Sequence, residues 1–121
     1  MTAPAPGRLT THVLDTALGR PAAGIALRLH AAHDPAVMLA QAVTNQDGRC
    51  DAPLLAAPAL RAGVYDLVFC LAPYFARHHP GLPEPAFLGD IVLRFGIADP
   101  TAHYHVPLLV SPYGYSTYRG S

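Results

Sequence analysis

The sequence predicts an all-β sandwich, and three observations carry that expectation. Its apolar segments alternate with period two more often than with the 3.6-residue period of a helix. Ten glycines and 13 prolines cut the 121 residues into short segments, with Leu18-Gly19-Arg20-Pro21, Asn45-Gln46-Asp47-Gly48, Arg61-Ala62-Gly63 and Asp99-Pro100 as strong turn signals. A hydrophobic fraction of 51% against 13% charged residues argues against disorder. A chain of this length hides roughly two-thirds of its unfolded surface on folding, enough for one modest core. The expected organisation is an arm over residues 1–7 followed by a single domain over residues 8–121.

The arm, MTAPAPG, has neither the basic start nor the apolar run of a secretion signal, and is expected to fray. Residues 9–15 form the first candidate strand, in which His12 alternates with Thr11 and Val13, so its polar face is either solvated or lines a cavity. In residues 25–30, Ile25, Leu27 and Leu29 share one face and Arg28 and His30 the other. Residues 37–43 are a further candidate, and residues 64–71 (VYDLVFCL) are a nearly continuous apolar and aromatic run of strand length. Residues 74–79, stopped by Pro80-Gly81, read as one short helical turn or as a loop. Ile91, Leu93, Phe95 and Ile97 repeat the alternation with Arg94 opposite, and residues 103–110 complete the set. About seven or eight short strands at such spacing describe a sandwich.

Several function classes are excluded at this level. Eight basic residues, all arginine, balance eight acidic ones, which leaves no electrostatic footprint for nucleic acid or an anionic membrane. Every apolar run is interrupted well short of the ~18 residues needed to cross a bilayer. Cys50 and Cys70 are too far apart for a redox pair and too few for a disulfide framework, so they are expected to be reduced thiols in a cytoplasmic protein.

The residues that break the apolar patterns are the candidates for chemistry, and seven histidines stand out. His103 and His105 bracket Tyr104, so on a strand both imidazoles leave from one face. With a third histidine such as His12 they offer a zinc ion three nitrogens and an open position for water. They serve equally as strand histidines bonded to neighbours or solvent, or as metal-free general bases. Arg49 follows a turn and is either a solvated loop charge or a planar fork for a carboxylate, enolate or imide-like group. Cys50 is a nucleophile only where Arg49 or a histidine lowers its pKa, and the inert thiol is the favoured reading. The segment from Ser111 to Ser121 is dense in hydroxyls and aromatics, as befits an edge strand or a strand whose end folds into a site.

Three motifs, Leu9-Thr10-Thr11-His12-Val13-Leu14-Asp15-Thr16, Thr44-Asn45-Gln46-Asp47-Gly48-Arg49, and His103-Tyr104-His105-Val106-Pro107-Leu108-Leu109 running on to Tyr118-Arg119-Gly120-Ser121, stand in order along nearly the whole chain. Together they resemble the 5-hydroxyisourate hydrolases, the transthyretin-like enzymes of urate breakdown. The resemblance implies a transthyretin-like sandwich of two four-stranded sheets with one short helix, assembled as a homotetramer with active sites at the interface between dimers. It implies a small-molecule substrate, no metal and no other cofactor. It places His12, Arg49, His105 and Ser121 in catalysis, with Tyr118, Arg49 and Ser121 binding substrate, and gives His103 a supporting role at most. A small-molecule carrier without catalysis and a zinc hydrolase using His12, His103 and His105 are the alternatives.

Overall fold

The computed structural model describes residues 7–120 and folds them into two packed sheets and one helix. The strands are β1 (Arg8–Asp15), β2 (Arg20–Pro21), β3 (Ala26–Ala31), β4 (Asp34–Val43), β5 (Leu55–Ala56), β6 (Gly63–Cys70), β7 (Asp90–Ile97), β8 (His103–Ser111) and β9 (Gly114–Thr117), and helix α1 (Ala72–His78) lies between β6 and β7. One sheet has the order β4-β3-β6-β7 and is antiparallel throughout. The other has the order β2-β1-β8-β9, with β5 also on β1. Its central pair, β1 and β8, is parallel, and its remaining pairs are antiparallel.

The expected pair of four-stranded sheets is therefore refined in the second sheet, where two short pieces share the place beside β1. β2 pairs with Leu14 and Asp15, and β5 pairs with Arg8 and Leu9 at the other end of the same strand. Pro21 and the proline-rich stretch around Pro53 and Pro58 explain the division, because a proline has no N–H to give to a continuous ladder. The free edge of β1 between the two pieces is where Arg49 docks.

Alternation fills the interior as the sequence pattern requires. Leu9 and Val13 of β1, Leu27 and Leu29 of β3, Leu67 and Phe69 of β6, Ile91 and Leu93 of β7, and Leu108 and Val110 of β8 are all buried in one cluster. Each such side chain contributes about 1.5–3 kcal/mol by leaving water. β4 begins at Asp34, earlier than the apolar pattern alone indicates, and as an edge strand it accommodates Pro35. Residues 74–79 resolve in favour of the helix: α1 has Pro73 in its first turn, where the missing N–H is not needed, and buries Tyr74 and Phe75. Residues 1–6 of the arm lie outside the described residues, while the Gly7 carbonyl accepts a hydrogen bond from the Ala57 N–H at 3.1 Å. Among the described residues no helix is long and apolar enough to cross a membrane.

One buried polar group ties the helix to the sheet. The Asp15 carboxylate ends β1 with its side chain fully covered, and accepts hydrogen bonds from the N–H groups of Ala17 and Leu18 at 3.0 Å each. Its second oxygen accepts from the Tyr74 hydroxyl and from His79 Nε2, both at 2.7 Å. Burial pushes the Asp15 pKa up, but the bonds from His79, Leu18 and Tyr74 outweigh it and hold the carboxyl below its usual range. Burial and the hydrogen bond to Asp15 push Tyr74 up to about 12. Because the Asp15 value is depressed on folding, its stabilisation is present above the usual carboxylate range and is lost as pH falls through the folded value. Asp15→Asn keeps the volume but turns an amide N–H towards these donors. It should cost about 3 kcal/mol in urea unfolding.

Candidate active site

The site is built on the outer face of the β1–β8 pair. Leu9, Thr11, Val13 and Asp15 face inward, so Arg8, Thr10 and His12 face out. On β8 the same parity buries Tyr104 and Val106 and turns His103 and His105 outward. The parallel register sets Arg8 opposite His103 and Thr10 opposite His105. As a result the Thr10 hydroxyl lies 2.7 Å from His103 Nε2 and 2.8 Å from His105 Nδ1. The two imidazole rings stand 6.2 Å apart, centroid to centroid.

Arg49 is delivered by a tight turn. The Asn45 side-chain oxygen accepts from the N–H groups of Asp47 and Arg49 at 2.9 and 3.2 Å, and Gly48 takes a left-handed φ of 73°. A Cβ at Gly48 would run into the Val13 carbonyl oxygen, so only glycine lets the turn come this close to β1. Val13 N–H then donates to the Gly48 carbonyl at 2.8 Å, and Arg49 bridges His12 through the backbone. The turn thus carries a guanidinium to the polar face of β1.

The end of the chain arrives from the other side. After β9 the backbone crosses back, and the Gly120 N–H donates to the His105 carbonyl at 2.7 Å. A Cβ on Gly120 would stand 2.7 Å from His105 Cδ2, so the glycine packs directly on the ring. The cleft enclosed by these elements has a volume of about 470 Å³ and is lined by Arg8, Thr10, Arg49, His103, His105, Tyr118 and Gly120.

Electrostatics hold the imidazoles in their basic form. Burial and then the Arg49 guanidinium lower His12, and the opposing pull of Asp47 does not restore it. His103 is lowered by burial and by Arg8 and Arg119. His105 is lowered by burial, Arg49, His103 and His12 in turn. At neutral pH the site therefore presents uncharged bases among guanidiniums, which suits proton abstraction next to a developing anion.

The structure brings Arg49, His105 and Tyr118 to one cleft. His12 stands beside Thr10 on the same face, bridged to Arg49, but just outside the lining. His103 also lines the cleft. Arg119 turns away, with its guanidinium 4.1 Å over the Tyr104 ring, and Ser121 lies outside the described residues. Cys50 is half-buried and its thiol is pushed up by burial and by Asp51, the reverse of an activated nucleophile. The zinc arrangement raised for His12, His103 and His105 is not the geometry present. Among the described residues no three His, Cys, Asp or Glu side chains converge, and Thr10 takes the facing nitrogens of His103 and His105. Sequence reasoning missed Thr10, whose one available signal was its i, i+2 spacing from His12 on the polar face.

Comparison with known proteins is consistent across sequence and structure. The model of the HIUase/transthyretin family matches residues 9–120. The 5-hydroxyisourate hydrolase of Mesorhizobium japonicum is 58% identical over 116 residues, covering 95% of this chain and 93% of its own. The structure of Klebsiella pneumoniae 5-hydroxyisourate hydrolase superposes with a TM-score of 0.79 at 37% identity, covering 95% of this chain and 99% of that one. A crystal structure of (S)-allantoin synthase matches all of this chain with a TM-score of 0.90 at 44% identity. The match spans 46% of that longer protein.

Two outcomes follow from the geometry. Gly120→Ala should displace the His105 ring and reduce turnover at least about tenfold while thermal unfolding stays near that of the parent, since no core side chain is touched. Because all three imidazoles are shifted down, the acidic limb of kcat/KM against pH should lie below the ordinary histidine value near ~6.5.

Proposed function

The chain belongs to the HIUase/transthyretin family, and from that premise we propose its function: it is an enzyme that hydrolyses 5-hydroxyisourate. Water attacks the carbonyl of a ring amide, the carbon–nitrogen bond breaks, and the ring nitrogen leaves with a proton. The product is 2-oxo-4-hydroxy-4-carboxy-5-ureidoimidazoline, and no step calls on a metal or an organic cofactor.

His105, acting with His12, takes the proton from the attacking water and returns it to the departing nitrogen, a role that typically contributes ~10² to 10⁴ in rate. Arg49 holds the ring and stabilises the oxyanion of the tetrahedral intermediate through its planar fork. Tyr118 and Ser121 position substrate or water. The observation that carries this reading is the pair of isolated backbone bridges, His12 to Arg49 and His105 to Gly120, which bring a guanidinium and the end of the chain to the two histidines.

The same proposal includes a homotetramer with the cleft at the interface between dimers. Its support is that β9 is exposed along its whole length and that Val37, Met38 and Leu39 are exposed on the edge strand β4. The cytoplasm is the proposed location, where Cys50 and Cys70 stay reduced.

Urate and uricase generate the substrate in the cuvette, and its ultraviolet decay reads the reaction with and without chelator. The chain should accelerate decay equally in both. His105→Asn should lower kcat by about two orders of magnitude, and Arg49→Lys should be damaging although charge is kept, because an ammonium lacks two coplanar donors. Activity in His105→Asn within a few-fold of the parent removes His105 from the mechanism. Loss of activity on chelation brings a metal back into it.

A further inference from the structure

Thr10 makes two short hydrogen bonds to ring nitrogens with a hydroxyl that owns a single proton. Its backbone is fixed in the parallel ladder opposite His105, and its branched Cβ limits the directions in which Oγ1 can point. No other partner for Oγ1 is present among the described residues. With one proton the hydroxyl donates to at most one ring, so at least one ring must donate to it. The proton is used within the pair when one ring donates to the oxygen and the oxygen donates to the other, which couples the two histidines through one atom.

Two arrangements satisfy that count. In one, His105 Nδ1–H donates to Thr10 Oγ1, and the Thr10 hydroxyl donates to a bare His103 Nε2. In the other the direction is reversed, and His105 carries its proton on Nε2. The surroundings choose between them. His105 Nε2 has no hydrogen-bond partner among the described residues, and the charged side chains lining the cleft, Arg8 and Arg49, only donate. The field of the Arg49 guanidinium favours a lone pair on that nitrogen, whereas an N–H would turn the positive end of its dipole into a cleft whose charged side chains offer no acceptor.

We propose that Thr10 is a positioning residue that locks His105 in the tautomer with a bare Nε2, and that His103 anchors the far end of the same hydrogen-bond chain. This deepens, and rests on, the reading of His105 as the base of the hydrolase. It also gives His103 a definite role, since by accepting the hydrogen bond from the Thr10 hydroxyl it fixes the direction of both bonds. The arrangement resembles that of a buried carboxylate behind a catalytic histidine, with a neutral hydroxyl and a second imidazole in its place.

The test uses the full-length assembled chain and reads tautomer and turnover in the same samples. In the parent, nitrogen NMR of labelled histidine should show His105 with a protonated Nδ1 and a bare Nε2. Thr10→Val keeps the branched shape on an outward-facing strand position but removes the hydroxyl. It should yield a mixture of His105 tautomers and lower kcat at least about tenfold, with KM within a few-fold. Thr10→Ser returns the hydroxyl and should restore the single tautomer and most of kcat. A protonated Nε2 in the parent overturns the proposal, as does a Thr10→Val kcat within about twofold of the parent, or a Thr10→Ser variant as impaired as Thr10→Val. A parent chain that leaves 5-hydroxyisourate decaying at its uncatalysed rate overturns the hydrolase reading instead, and the nitrogen spectrum still decides whether Thr10 fixes the ring.

Discussion

The parallel pairing of β1 with β8 is the constraint from which the rest of the site follows. Eight consecutive residue pairs, from Arg8 with His103 to Asp15 with Val110, run without a bulge. In the other sheet, by contrast, the β3–β4 ladder shifts register twice near His30. Because side chains alternate with period two, a slip of one residue would turn Thr10 and the histidines of β8 to opposite faces. Both strands bury one face against the core, through Leu9 and Val13 on β1 and Val106, Leu108 and Val110 on β8. The hydrophobic pattern that fixes the register thereby also fixes the distances between Thr10, His103 and His105.

What surrounds that pair is edge chemistry. β1 has one neighbour along its full length, and its other side is shared by β2, the Arg49 bridge and β5. A continuous strand there would satisfy the backbone equally well but would leave no loop to carry a guanidinium. The interruption by proline and by the left-handed Gly48 converts a strand edge into a place where a turn can dock. On the opposite side β9 covers only the last part of β8, from Leu108 to Ser111. His103 and His105 are left outside that ladder, and among the described residues the returning chain bridges to the His105 backbone through Gly120. Both partial coverings open the outer face where the imidazoles stand.

The sandwich and most strand positions were legible from alternation because each strand has one dry face, as Ile25, Leu27 and Leu29 illustrate with their burial. The turn at Asn45–Gly48 was legible from its residue types. The split edge of β1 was not, since two-residue strands carry no periodicity. Nor was the partner of Thr10: a contact between residues 93 positions apart depends on which strands lie side by side and in which direction, and alternation reports neither. Asp15 escaped for a related reason. It reads as the polar end of the first strand, and only the approach of Tyr74 from α1 and of His79 just after it makes it a buried junction. The motifs shared with the hydrolases named His12, Arg49 and His105 without indicating how they meet.

The charge distribution explains why this geometry would suit the proposed hydrolysis by histidine. Arg49 acts on His12 and His105, Arg8 and Arg119 act on His103, and among the described residues Asp47 is the one carboxylate that acts on any of the three. Among so many cations a protonated imidazole is disfavoured, which keeps the bases free at neutral pH but would also make them reluctant to accept a proton. An anion resolves the conflict. In the proposed reaction, negative charge developing on the substrate oxygen would neutralise the guanidinium field, and the penalty on charging a histidine would fall at the same moment. Base strength would then rise along the reaction coordinate rather than in the resting site. Asp15, at the far end of β1, is buried and fully occupied by four hydrogen bonds, and it is not among the groups that shift any of the three imidazoles, so it stabilises the fold without offsetting the guanidiniums.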